Sequence, residues 1–130
     1  MNKFIKVGLF SATFLILATA QAAEPLEDAM KSLAKNSKVF DQAQNVDVAN
    51  KALAEMANAT QLAKENKPKK LRKLAETDAK VIAYEETFNR LFIEIEHAQH
   101  LVHENKLDEA KLISEKFNEI KKQGHKAYRF

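Results

Sequence analysis

The chain has 130 residues and a formal net charge of +3, with no cysteine, no tryptophan, two glycines and two prolines. One ordinary domain fits this length, and so few turn-forming residues argue against a sheet of many hairpins. Without cysteine there can be no disulfide, no thiolate metal or iron–sulfur site, no cysteine nucleophile, and no cofactor or lipid attached through that side chain.

Lys3 and Lys6 precede an apolar run from Val7 to Ala18, and Ala20-Gln21-Ala22 places small residues around a cleavage point. This is the pattern of a secretory signal peptide, and the run is shorter than the roughly 20 residues a spanning helix needs. Residues 1–22 are therefore expected to be a cleaved leader, with a mature domain over 23–130 exported to the periplasm. Loss of Lys3 and Lys6 lowers the net charge from +3 to +1. With that, a nucleic-acid role for the whole protein loses its main support.

In the mature region apolar or small residues recur at three- and four-residue steps, which places them on single helical stripes. The first stripe is Leu26, Met30, Leu33, Ser37 and Phe40, led in by Pro25 with Glu27 and Asp28 in the first turn. The second, rich in alanine, is Ala49, Leu53, Met56, Thr60 and Ala63, with Asn45 or Asp47 as N-cap. A basic connection holding Pro68 runs from about Asn66 to Lys73. The third stripe is Tyr84, Phe88, Leu91, Ile95, Ala98 and Val102. The fourth is Ala110, Ile113, Phe117, Ile120 and Gly124. Between these two, Asn105 suits the left-handed position that ends a helix. Short links make neighbouring helices antiparallel. The fold class predicted is all-α, an antiparallel up-down-up-down four-helix bundle with near +20° packing.

In that topology the start of helix one and the end of helix four share a pole. Met30 and His125 each fall about one turn, roughly 6 Å, in from it. A thioether and an imidazole facing each other are axial ligands of a low-spin haem. Leu33, Met56, Thr60, Tyr84 and Phe88 fall where they can wall a flat apolar slot, closed by the Pro68 loop. Two such residues also have ordinary readings: a methionine packed in the core and a histidine favoured by a helix C-terminus. Both readings stay open on spacing alone.

Four stretches carry a resemblance over almost the whole mature chain: Leu26-Glu27-Asp28-Ala29-Met30, Phe88 to Ala98, Lys106-Leu107-Asp108-Glu109-Ala110, and His125-Lys126-Ala127-Tyr128-Arg129. On these the chain resembles the soluble cytochrome b-562 family, periplasmic haem proteins. The resemblance implies a non-covalent b-type haem, electron transfer, Met30 and His125 as axial ligands, Met56 and Phe88 in the pocket, and Pro68 in the loop over the haem edge. Gly124 stands where the family has tyrosine, and Lys121 where it has arginine. Lys121 or Arg129 is within reach of a haem propionate.

Other clusters carry less. His97, His100 and His103 recur every three residues, but Ile95, Ala98 and Val102 hold the core stripe and turn the histidines mostly outward. Glu94-x-x-His97 is half of a di-iron signature that lacks its second half. No Ser-His-Asp arrangement or phosphate loop occurs, so no enzyme is expected. The run Lys67, Lys69, Lys70, Arg72, Lys73 reads as a solvated loop or as a surface steering an acidic redox partner to the haem edge. The competing function is a haem-free exported bundle, an adaptor or stress factor, which requires an exposed apolar patch. Otherwise a monomer without membrane insertion after cleavage is expected.

Overall fold

The computed structural model describes residues 24–128. The expected leader and Arg129 lie outside the described residues. The helices are α1 (Pro25–Asp41), α2 (Val46–Glu65), the single turn α3 (Lys69–Arg72), α4 (Ala79–His103), α5 (Leu107–Lys111) and α6 (Ser114–Tyr128). Among the described residues everything else is turn or link.

The ends of these helices follow from local chemistry. Pro25 opens α1, with Glu27 and Asp28 in its first turn, where its missing N–H costs nothing and the dipole favours anions. The Asn45 side chain accepts a hydrogen bond from Val48 N at 2.9 Å, so Asn45 rather than Asp47 caps α2. Asp78 caps α4 through Lys80 N at 2.8 Å. Asn105, at φ 65°, ends α4. Its own N–H reaches Val102 O, and Lys106 N–H reaches Leu101 O at 2.8 Å, the crossed pair that closes a helix through a left-handed residue.

Two features depart from the expected pattern. The basic connection is not all loop: α3 forms because Leu71 is buried, and this fixes one turn around it. The fourth arm is split. From Leu112 to Lys116 the N–H groups reach back mostly three residues, Ile113 to Ala110 O at 3.0 Å and Lys116 to Ile113 O at 2.9 Å. This tightening keeps Ala110, Ile113 and Phe117 on the core side and leaves Leu112 exposed.

The long arms run up, down, up and down around one core. Its largest fully enclosed side chains are Tyr84, Phe40, Leu53, Met56 and Ile95. Buried Ala49, Ala52, Ala59 and Ala63 along α2 let α1 and α4 approach it closely. α1 packs mainly on α2, and α2 on α4, whereas α1 and α6 touch sparingly. Cross-ties hold the two poles. Lys111 Nζ donates to Ala43 O at 3.0 Å at one, and Arg72 meets Glu24 at 3.5 Å at the other.

Candidate cofactor-binding site

The sparse contact between α1 and α6 leaves a cavity of about 630 Å³ along that seam, a size ordinary for a cofactor site. Phe40 of α1 and Phe117 of α6 join the two helices, ring centroids 5.9 Å apart, and Phe117 lines the cavity floor together with Leu91 of α4.

Met30 and His125, on the two helices that border the seam, both line this cavity. Met30 is half-buried and His125 exposed. Leu33, Met56 and Phe88 give it apolar walls, and Lys121 stands on its lining one turn from His125. The arrangement is a largely apolar cavity whose lining includes a soft sulfur donor from α1 and an imidazole donor from α6. That donor set suits iron held in a flat macrocycle, so the residues present fit a haem.

Other residues expected at the slot stand behind it or away from it. Tyr84 is not part of the lining. Its hydroxyl donates to Ala63 O at 2.6 Å, which draws the ring into the α2–α4 interface. There it meets Phe88 edge-on at 4.9 Å and Tyr128 at 5.4 Å. Burial, and secondarily Tyr128, pushes the Tyr84 phenol well above its usual range. Thr60 likewise turns inward, its hydroxyl donating to Met56 O at 2.7 Å. Pro68 stands away from the lining, at the N-cap of α3, where its carbonyl accepts from Leu71 and Arg72.

Some lining residues escaped the sequence reading. Tyr128, one turn past Gly124, lies on the same helical face and could have been found by extending the stripe. Ser114 lines the inner end, and its hydroxyl oxygen has no hydrogen-bond partner. Ser114 falls four residues after Ala110 and three before Phe117, so the stripe itself could have included it. Gly124 is buried, and a Cβ there would stand 3.7 Å from Thr87 Cγ2, an ordinary contact. At the mouth Glu27 and Lys31 pair at 2.7 Å. Their hydrogen bond, more than their charges, lowers the Glu27 carboxyl and raises the Lys31 ammonium from their usual ranges.

No group of three or more His, Asp or Glu side chains that could hold a metal ion occurs among the described residues. His97, His100 and His103 are exposed on α4, and His100 stands 3.6 Å from Glu104. No described helix is long and apolar enough to cross a membrane.

A family model described as cytochrome b562 matches residues 25–129. The match takes in every long helix and both ends of the seam.

Proposed function

We propose that the chain, which belongs to the cytochrome b562 family of haem-binding, electron-carrying helical bundles, is an exported, periplasmic carrier whose Met30 and His125 ligate the iron of one non-covalent b-type haem. One observation carries this reading: two good iron donors, from opposite ends of the sequence, line a single apolar cavity on facing helices. When bound, the haem supplies a one-electron ferric–ferrous couple.

The chain's own residues set the conditions for that couple. The soft sulfur of Met30 favours the ferrous state and raises the potential. The His125 imidazole supplies the stronger nitrogen donor. Leu33, Met56 and Phe88 keep water from the slot, and burial tunes the potential further. Lys121 sets a cation on the lining for a propionate, with a less rigid head than the guanidinium it replaces; Arg129 is a second candidate. Iron held by both Met30 and His125 would have no open position for a substrate, which suits a carrier.

The haem-free adaptor has less behind it. The large exposed apolar side chains are spread over the molecule: Val39 on α1, Val48 and Leu62 on α2, Ile82 and Ile93 on α4, and Leu112 between α5 and α6. Scattered singly, such residues are ordinary. Titrating hemin into the purified chain separates the two readings. One equivalent bound with a low-spin spectrum supports the carrier, and no spectral change leaves the adaptor.

A further inference from the structure

The two poles of the bundle carry opposite charge. The connection over 66–78, at the pole where Met30 and His125 stand, holds five cations (Lys67, Lys69, Lys70, Arg72 and Lys73) against Glu76 and Asp78, a net of +3. At the far pole, residues 41–47 and 104–111 hold five carboxylates (Asp41, Asp47, Glu104, Asp108 and Glu109) against Lys106 and Lys111, a net of −3. The start of α1 adds Glu24, Glu27 and Asp28 to the first pole, and the end of α6 offsets them with Lys121, Lys122 and Lys126. The surplus of the connection therefore stands uncompensated, while at the far pole Lys38 in the last turn of α1 trims the net to −2.

Within that surplus the charges are not equivalent. Lys67 is tied to Glu76 at 2.9 Å. Arg72 donates to Lys67 O at 2.8 Å and meets Glu24 at 3.5 Å. Lys69, Lys70 and Lys73 are exposed and have no carboxylate partner among the described residues. Buried Leu71 pins the turn that carries them, so Lys69, Lys70, Arg72 and Lys73 share one shallow depression with no other lining. Like charges held this close repel one another, a cost that a stable fold gains nothing from. α4, which joins the poles, has 25 residues and so spans ~37 Å. That is several times the ~8 Å screening length at physiological salt. Each pole therefore presents its own field to an approaching molecule.

We infer that the α3 turn is the docking surface for an acidic protein, which the charge separation along the bundle directs to the cofactor pole and away from the far one. The inference rests on the electron-carrier reading for its purpose, though not for its electrostatics. An anionic lipid surface is the weaker fit. Basic side chains alone hold a membrane poorly without an apolar anchor, and the one apolar residue of α3, Leu71, faces the core. No aromatic residue interleaves the cations, as single-stranded nucleic acid would use.

The test is a titration of the isotope-labelled chain, haem-loaded and haem-free in parallel, with a flavodoxin as the acidic protein probe, at low and at physiological salt. Amide shifts confined to residues 67–73 and their neighbours at that pole, weakening with salt, are expected. The triple change Lys69→Glu, Lys70→Glu, Lys73→Glu should weaken binding by about tenfold or more, and Lys106→Glu at the far pole should not. Shifts centred on 104–111, or shifts indifferent to salt and to the triple change, would overturn the assignment. So would sedimentation with phosphatidylglycerol vesicles under conditions where the flavodoxin gives no shifts, which would make the surface a lipid one. If the chain takes up no haem, the carrier reading fails while the haem-free titration still decides the docking surface.

Discussion

The seam between α1 and α2 and the seam between α1 and α6 are built from the same kind of helical stripe, yet one is closed and the other holds a cavity. The difference lies in side-chain size and placement. α2 offers a row of buried alanines around a wholly enclosed Leu53, so backbones approach. α6 offers Phe117, Ile120, Gly124 and His125 to the cavity side, an uneven set with a large floor and a bare upper edge. The first seam is closed by packing, and the second leaves room for a ligand. A ligand bound in the second seam adds its own binding energy to folding, ~2.7 kcal/mol when present at a hundredfold over its Kd.

Mutations should separate the two seams. Leu53→Ala removes a fully enclosed side chain of α2 that does not line the cavity and should cost ~2–5 kcal/mol in urea unfolding, with or without hemin present. Leu33→Ala, half-buried at the open seam, should cost about 1 kcal/mol or less in the haem-free chain yet weaken hemin binding in a spectral titration. An equal loss of haem-free stability at both positions would erase the distinction.

Behind the cavity, the Tyr84 phenol ties α4 to α2. Its proton is held more tightly folded than unfolded, because burial opposes the phenolate. The stability this contributes is whole below the unfolded value of ~10 and drains away as pH rises through it toward the folded one. Tyr84→Phe should cost ~1 kcal/mol at neutral pH for the lost hydrogen bond and flatten the alkaline fall in denaturation midpoint. An unchanged alkaline limb would place its cause elsewhere. The smallest change concerns Gly124. Because a Cβ there meets only an ordinary contact, Gly124→Ala should raise the thermal midpoint of the haem-free chain, by a gain of ~0.5–1 kcal/mol. A loss would mean the site needs that space.

Much of this was legible in the residue order. The four stripes, the Asn45 cap and the left-handed Asn105 all follow from local periodicity and turn chemistry, and local rules survive folding. The place of Met30 and His125 at one pole follows from antiparallel connectivity. What spacing could not give were effects set by partners far away in the chain. Tyr84 is on the predicted stripe, but a carbonyl twenty-one residues earlier draws its hydroxyl aside. Pro68 opens a turn because Leu71 finds the core. The break in the fourth arm is set by how Ala110, Ile113 and Phe117 meet the core, not by any local stop signal.

The most direct measurement is the reduced-minus-oxidised spectrum of the chain saturated with hemin, taken beside Met30→Ala and His125→Ala. A sharp low-spin Soret band with split visible bands on reduction is expected, turning high-spin in Met30→Ala and losing haem in His125→Ala. A chain that stays colourless after hemin, or a low-spin spectrum that survives both substitutions, would contradict ligation by this pair.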